Sequence, residues 1–368
     1  MLRKSLAVLL VLMFLITTAC STAAPPAATP AATKPTETKP AATAPAPTPT
    51  KPAEAAKPTE SKPAAPAEKQ KVVGIVQLVA HPALDLTRKG LIDALAEAGF
   101  KDGDKIKIDF QNAQGQVPTT KTIADKFVSD KVDLIISITT PAGQSAAKAI
   151  QGTKSPLVFV GVSDAVGAGL IKTIGQPTGT NITGVYNFDP IPAQMDLAAE
   201  IVPSIKNLGV IYNAGESNSV SNVDRLKKDV EKRGWKVVEA TVASSSDVLS
   251  ASRSLVGRVD AIYMPQDNTV VSALEALLKT ASEAKLPLFV GDIESVKRGA
   301  IATLGNDQYE TGKQAGVMAA RVLKGEDPGK IVPEEVKVKS LAVNQKAAEA
   351  IGLKIPESVL KRAQEVIK

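Results

Sequence analysis

The chain has 368 residues, 44% of them hydrophobic, which is enough for one large core or two ordinary ones. Its basic residues, which give a net charge of +6, are spread along the chain rather than clustered, and this argues against a nucleic-acid-binding protein. One Cys and one His exclude a disulfide framework within the chain and argue against a Cys/His metal site.

The first nineteen residues have the features of a secretory signal. Arg3 and Lys4 precede an apolar run over 6–16, and small residues then lead to Cys20. The apolar run is too short to span a bilayer comfortably. The segment resembles a bacterial lipoprotein signal, which implies that 1–19 is a signal peptide and that Cys20 carries a lipid. An ordinary secreted protein with a chance Cys at that place is the alternative.

Residues 20–70 follow as a predicted tether. Positions 21–70 contain 12 of the 25 prolines and no Gly, Val, Leu, Ile, Met or aromatic residue. Such a segment has no apolar surface to offset the entropy of ordering, and its prolines favour an extended chain. We expect a disordered spacer that holds a folded domain away from the membrane, or a passive disordered tail.

After residue 70 the pattern becomes that of an α/β domain. Apolar runs rich in β-branched residues predict strands, and apolar residues three and four positions apart predict helices between them. The first series predicts strands over 72–79, 106–110, 132–138 and 157–162. Alternation of strand and helix is typical of a parallel sheet with helices on both faces.

A second series of the same kind begins after Pro203. Its strands are predicted over 208–212, 235–242, 259–264 and 288–290, with helices near 219–233, 246–257 and 269–284. The strand that begins with Val132-Asp133-Leu134-Ile135 corresponds to the strand that begins with Val259-Asp260-Ala261-Ile262. In both, a polar turn, a helix and a second strand ending in Phe-Val-Gly follow in the same order. The match indicates two duplicated lobes.

We therefore predict an α/β fold of two similar doubly wound parallel-sheet lobes joined by a hinge. The first lobe is expected to hold 71–187 and about 294–330, and the second 188–293 and about 331–368. The later parts include predicted strands over 300–303 and 336–343 and predicted helices over 309–323 and 357–367. Since open parallel sheets bind ligands at the carboxyl ends of their strands, both sets of loops would face one cleft.

Polar turns after the predicted strands carry a resemblance to a known family. They are His81-Pro82-Ala83-Leu84-Asp85, Asn112-Ala113-Gln114-Gly115, Thr139-Thr140-Pro141-Ala142, Asn181-Ile182-Thr183-Gly184, Tyr212-Asn213, Pro265-Gln266-Asp267-Asn268 and Asn344. From Gly74 onward the chain resembles ABC-importer substrate-binding proteins of the type I periplasmic-binding-protein fold. More narrowly, it resembles tryptophan- and tyrosine-binding lipoproteins. It departs from them at Ser163-Asp164-Ala165-Val166, where the family tends to have Thr-Asp-Pro-Val.

The first lobe offers three candidate ligand-binding residues. Thr139 and Thr140 end a strand and open a helix, where hydroxyls and free N–H groups suit a carboxylate. The same residues would also serve as ordinary helix caps. His81 lies in the loop after the first strand, either as a ligand contact or as a satisfied turn residue. It has no visible nucleophile partner that would make it a catalytic base.

The candidates of the second lobe all follow predicted strands, and they are Asp267, Asn268, Glu216, Asn218, Ser219 and Asp292. An acidic side chain among them would pair with an ammonium group, yet each is also a good cap or turn residue. Where the chain first crosses between lobes, Asp189 is a further ligand candidate. Tyr186 and Phe188 nearby either flank an aromatic ligand or pack in the hinge.

Together these features predict an extracytoplasmic solute-binding lipoprotein of an ABC importer, anchored to the cell membrane. It would bind a small solute by hinge closure, and the best candidate is an amino acid. The narrowing to aromatic amino acids comes from the resemblance alone. The expected partners are a permease and an ATPase on separate chains, since no Gly-x-x-x-x-Gly-Lys-Ser/Thr loop occurs. We expect a monomer, no nucleic acid and no cofactor.

Three other functions are alternatives to this prediction. A ligand-sensing receptor module for a membrane signalling protein would share the fold and the cleft, and it stays open as the alternative. An enzyme is disfavoured by the single His and the lack of a paired-carboxylate motif. A transcription repressor of related fold would need a helix-turn-helix where this chain has a signal and a tether.

Overall fold

The computed structural model describes residues 69–368. The predicted signal peptide, Cys20 and nearly all of the tether therefore lie outside the described residues. Those residues all fall within one compact unit. None of the helices described in it is long and apolar enough to cross a membrane.

The first lobe is built on a six-stranded sheet. Its elements up to the first crossing are β1 (Lys71–Gln77), α1 (Pro82–Glu97), β2 (Ile106–Asn112), α2 (Val117–Ser129), β3 (Leu134–Ile138), α3 (Thr140–Ala149), β4 (Leu157–Val162) and β5 (Ile182–Tyr186). Every strand pairs in parallel with its neighbours. Strands β1, β3 and β4 are buried on both faces, which explains their nearly continuous apolar runs.

The second lobe is built on a seven-stranded sheet. Its elements before the second crossing are α4 (Ile191–Ile201), β6 (Asn207–Asn213), α5 (Ser217–Lys232), β7 (Lys236–Val242), a 3₁₀ turn (Ser245–Asp247), α6 (Val248–Leu255), β8 (Ala261–Met264), α7 (Asn268–Ser272), α8 (Leu274–Glu283), β9 (Leu288–Val290), α9 (Ile293–Arg298) and β10 (Ala302–Asn306). Two separate apolar clusters cover the two faces of this sheet. The predicted fold class, two α/β lobes of parallel strands, is confirmed.

The chain then returns to the first lobe and crosses once more. The remaining elements are α10 (Gln308–Leu323), a 3₁₀ turn (Pro328–Lys330), β11 (Glu334–Glu335), β12 (Lys339–Asn344), α11 (Gln345–Ala350), α12 (Glu357–Arg362) and β13 (Glu365–Ile367). Helix α10 packs against α1 at glycines. A Cβ on Gly312 would lie 1.9 Å from the carbonyl oxygen of Thr87, so only glycine permits this approach.

Three sequence predictions are corrected here. The second crossing falls at Asp307 and not near 294, because β10 pairs with β12 of the second lobe, with Leu304 opposite Leu341. Residues 294–306 therefore belong to the second lobe. The third crossing follows β11, which pairs with β5, so residues 331–335 belong to the first lobe and not to the second. The helix predicted over 357–367 ends at Arg362, and the last residues form β13, which pairs with β12. All three errors arise because strand pairing between distant segments leaves no local pattern in the sequence.

Candidate functional site

A narrow cavity lies between the lobes, at the carboxyl ends of the parallel strands. The first lobe lines it with His81, Ala83, Leu84, Thr140, Gly161, Ser163 and Gln308, and the second with Asn218, Gln266, Asp267, Asn268, Val271 and Asp292. The volume of the cavity is only about 40 Å³. The two lobes are thus close together around a small polar space.

On the first lobe, Thr140 brings a hydroxyl and a helix start into the cavity. Thr139 before it has a φ of 96°, which a β-branched residue rarely adopts, and its hydroxyl caps the N–H of Ala142 at 3.5 Å. Thr140 Oγ1 is buried without a hydrogen-bond partner among the described residues. Of the two predicted threonines, Thr140 therefore lines the cavity, whereas Thr139 is the cap behind it.

His81 lines the same wall, at the residue before α1. It makes no side-chain capping bond, and its Nδ1 is buried with no partner among residues 69–368. Burial lowers the pKa of His81 from 6.5 to about 4, although the charge of Asp85 opposes the shift. The side chain is therefore a neutral imidazole at pH 7, with one ring nitrogen free to hydrogen-bond a ligand.

We expect His81 to stay neutral between pH 8 and pH 5. The chain contains one His, so the NMR signal of its ring is unambiguous and should not move over that range. Because the folded pKa lies below the unfolded value, the unfolded chain takes up the proton first as the pH falls. The contribution of His81 to the free energy of unfolding should then fall between about pH 6.5 and pH 4, by about 3 kcal/mol at most. A signal that titrates near pH 6.5 would contradict the burial.

The second lobe places two buried carboxylates on the opposite wall. Asp267 caps α7 and accepts from the N–H groups of Val270 (2.7 Å) and Asn213 (2.6 Å) and from the hydroxyl of Ser219 (2.6 Å). Burial, and next the charge of Glu216, raise the pKa of Asp267 to about 7. Three donors leave this carboxylate little capacity for a ligand.

Asp292 is the less occupied of the two carboxylates. It caps α9, and both of its bonds come from Ser295, with the N–H at 2.8 Å and the hydroxyl at 2.6 Å. Burial raises the pKa of Asp292 above its ordinary value, and the hydrogen bonds from Ser295 oppose that shift. A carboxylate has about four lone-pair sites, so Asp292 retains acceptor capacity toward the cavity.

Asparagine side chains complete the wall of the second lobe. Asn218 donates its amide to the carbonyl of Gln266 at 2.9 Å, while its Oδ1 is buried without a partner in the described part of the chain. Asn268, the first residue of α7, donates to Glu216 at 2.5 Å. Because no Lys or Arg is among the described residues that line the cavity, its only formal charges are the two carboxylates.

Glu216 and Ser219 are not among the lining residues, although both were predicted as ligand contacts. Glu216 is buried and accepts from the N–H groups of Asn268 (3.2 Å) and Thr269 (2.9 Å) and from the Thr269 hydroxyl (2.8 Å). Ser219 donates to Asp267. Both side chains are used inside the lobe, where they hold the start of α7 and the Asp267 carboxylate in place.

Asp189 lies in the hinge and not on the cavity wall. Its carboxylate accepts from Asn222 at 2.6 Å and from Gln266, and burial raises its pKa to about 7. Gln266 also accepts from Asn187 at 2.8 Å, so this cavity residue is bonded directly to the hinge. The hinge is thus braced against the second lobe by polar contacts.

Tyr186 and Phe188 pack on each other in the first crossing. Their ring centroids are 5.5 Å apart in an edge-to-face arrangement, and neither lines the cavity. Of the two uses that the sequence suggests for these rings, packing in the hinge is the one that the structure shows.

Sequence reasoning missed Gln308, Leu84 and Val271 as cavity residues, together with Ala83, Gly161, Ser163 and Gln266. Gln308 begins α10 and is held by the Thr87 hydroxyl at 3.0 Å. Its position depends on the second crossing, which the sequence pattern predicts near 294 and the structure places at Asp307. Leu84 and Val271 lie in the first turns of α1 and α7 and could have been found from their closeness to the predicted loops. The described residues contain no group of three or more His, Cys, Asp or Glu side chains that could hold a metal ion.

Comparison with known proteins identifies the family to which this chain belongs. The family model of ABC transporter substrate binding proteins matches residues 72–367. A tyrosine-binding protein of Clostridioides difficile (strain R20291) is 42% identical over 287 residues, which cover 78% of this chain and 82% of that protein.

Two solved structures allow the arrangement of the lobes to be compared. A domain from Streptococcus pneumonia in complex with L-Trp is 34% identical, covers 81% of this chain and 100% of that chain, and gives a TM-score of 0.78. A ligand-free, open substrate-binding protein from Clostridium difficile is 40% identical at 81% and 99% coverage, but its TM-score is 0.62. Higher identity with a poorer overall fit is what a different lobe arrangement produces. In this structure the two lobes are in direct contact beside the narrow cavity.

Proposed function

Because this chain belongs to the family of ABC transporter substrate-binding proteins, we propose that it captures a free α-amino acid and delivers it to a membrane permease for import. The lobes close over the amino acid and bury both of its charged ends. The closed form then docks on the permease, with the ATPase on a further chain. The protein acts as a monomer and catalyses no reaction.

The polarity of the cavity is the observation that carries this proposal. On the first lobe, α1 and α3 present their N-termini beside His81 and Thr140, and backbone N–H groups at a helix start favour a negative group. On the second lobe, Asp267 and Asp292 present carboxyl groups, which in their ionised form favour a positive group. A zwitterion lying across the cleft would place its carboxylate on the first lobe and its ammonium group on the second.

Asp292 is our candidate for the ammonium group, because Asp267 is occupied by three donors of its own lobe. Thr140 and His81 are our candidates for the carboxylate, since each has a buried polar atom without a partner among the described residues. Asn218 and Gln308 would then contact the remaining polar atoms of the ligand.

We further propose that the bound amino acid has an aromatic side chain. Leu84 and Val271 add apolar surface to the cavity. The comparisons support this choice, since one relative is named for tyrosine and another was solved with L-Trp.

The position outside the membrane is also proposed. We infer that 1–19 is removed as a signal peptide, that Cys20 is lipidated, and that the proline-rich segment up to residue 70 tethers the lobes to the membrane. These residues lie outside the described structure, and the inference rests on their sequence. Mass spectrometry of the protein isolated from membranes, with a Cys20→Ser variant as control, tests it.

Thermal unfolding against a ligand panel tests the proposed binding. Protein unfolded and refolded to remove bound ligand should be stabilised by L-tyrosine or L-tryptophan and not by 3-(4-hydroxyphenyl)propanoate, which lacks the ammonium group. At a hundredfold excess over the dissociation constant, the gain is about 2.7 kcal/mol, or a few degrees in Tm. Stabilisation by sugars but by no amino acid would contradict the proposal.

A further inference from the structure

Helix α5 joins the two lobes at two points outside the ligand cavity. Ser217 Oγ donates to Gln144 Oε1 at 3.3 Å, and Ser221 Oγ donates to Asp164 Oδ2 at 2.7 Å. Gln144 lies on α3 and Asp164 in the turn after β4, so both bonds cross from the second lobe to the first. None of these four residues lines the cavity.

The two serines belong to one face of α5. Ser217, Ser221 and Arg225 are four residues apart, a spacing that places side chains above one another on a helix. Arg225 donates to the main-chain oxygen of Asp189, and its guanidinium lies 5.2 Å from the ring centroid of Phe188 in the hinge. This face therefore contacts the opposite lobe at one end and the hinge at the other.

Asp164 is held in position by its own turn. Its Oδ1 accepts from the N–H of Gly167 at 2.8 Å, which leaves Oδ2 directed at Ser221. Asp164 lies in the turn that differs from the family pattern at Ala165, but the aspartate of that pattern is present. Gln144 is similarly fixed, since its amide donates to the carbonyl of Ala168 at 3.3 Å.

We propose that these four residues, the α5 latch (Ser217, Ser221, Gln144 and Asp164), determine how often the lobes are closed and thereby scale the affinity for every ligand. A bond between lobes exists only when they are closed, so it stabilises the closed form relative to the open one. Where binding needs closure, the apparent affinity is reduced by the fraction of molecules that can close. The α5 latch thus affects affinity without contacting the ligand. The proposal depends on the proposed function only where ligand binding is the measurement.

Titration with two different ligands separates a latch from a ligand contact. In the full chain, Ser221→Ala should raise the dissociation constants for L-tyrosine and L-tryptophan by the same factor, about five- to tenfold for a bond to a partly exposed carboxylate. The dissociation rate should rise, and in an Asp164→Ala background the serine change should have no further effect. Ser254→Ala on α6, whose hydroxyl bonds within its own helix, is the matched control. Unchanged affinity, or a loss for one ligand only, would overturn the latch.

A second readout needs no ligand. Fluorescent labels on the two lobes report the closed fraction by single-molecule energy transfer, and the Ser217→Ala, Ser221→Ala double variant should lower that fraction about tenfold or more. If the unaltered protein binds neither amino acid, the proposed ligand class is wrong, and this measurement alone decides on the latch. An unchanged closed fraction would then overturn it.

Discussion

Asp292→Asn is expected to raise the dissociation constant for the amino acid about a hundredfold or more, the usual consequence of removing one partner of a buried charge pair. Asparagine has the same shape and keeps an oxygen for the N–H of Ser295, so the cap of α9 should survive. Only the negative charge that we propose to face the ammonium group is removed. Isothermal titration gives the dissociation constant, and a denaturant titration confirms that the variant is folded.

A ligand pair makes the Asp292 experiment specific. The unaltered protein should prefer L-tyrosine over 3-(4-hydroxyphenyl)propanoate, and the variant should lose most of that preference, because the two ligands differ in the ammonium group. Asp327→Asn is the matched control, since Asp327 caps a 3₁₀ turn outside the cavity and accepts from Gly329 at 2.9 Å. If Asp292→Asn retains both affinity and preference, the ammonium group is not bound there and Asp267 becomes the candidate.

The affinity for the amino acid should also depend on pH, because binding favours the ionised form of Asp292. Burial raises the pKa of this carboxyl, and an ammonium ligand favours its ionised form, so binding releases a proton. Affinity should therefore weaken as the pH falls, beginning above the pH at which an ordinary aspartate is protonated. Asp292→Asn should remove its part of this dependence. Asp267, whose pKa is also raised, should retain its own part in the variant.

Glu216→Ala is expected to lower the free energy of unfolding by about 3 kcal/mol, because it leaves buried donors without an acceptor. The N–H groups of Asn268 and Thr269 at the start of α7 and the Thr269 hydroxyl all bond to this carboxylate. Binding should weaken as well, since Asn268 lines the cavity. Urea denaturation followed by circular dichroism measures the stability.

Two further variants give the Glu216 result its meaning. Glu216→Gln keeps the size but replaces one acceptor oxygen by an amide that faces N–H donors, so we expect an intermediate loss. Glu357→Ala removes an exposed glutamate that forms an ion pair with Lys361, and its effect should stay within about 0.5 kcal/mol. A Glu216→Ala protein as stable as the unaltered one would show that water satisfies the start of α7.

Much of the site was predictable because strand ends and helix caps depend on residues that are neighbours in the sequence. Thr139, Asp267 and Asp292 follow strands and begin helices, and each caps its helix as such residues do wherever they occur. The same local signal could not distinguish a capping carboxylate that can still bind a ligand from one whose oxygens already accept hydrogen bonds within its own lobe. Asp292 and Asp267 look alike in the sequence, yet the donors around them differ in number.

By itself, the sequence determined the alternation of strands and helices, the two-lobed α/β fold and the family, because periodicity, caps and turn residues act over a few positions. The tertiary structure alone decided that the second crossing falls at Asp307, that Glu216 turns inward to α7, and that Asp189 braces the hinge. Each of these depends on which distant segments pair or pack together. The partners of Glu216 lie about fifty residues away and those of β10 about forty, and no short-range pattern records such pairings.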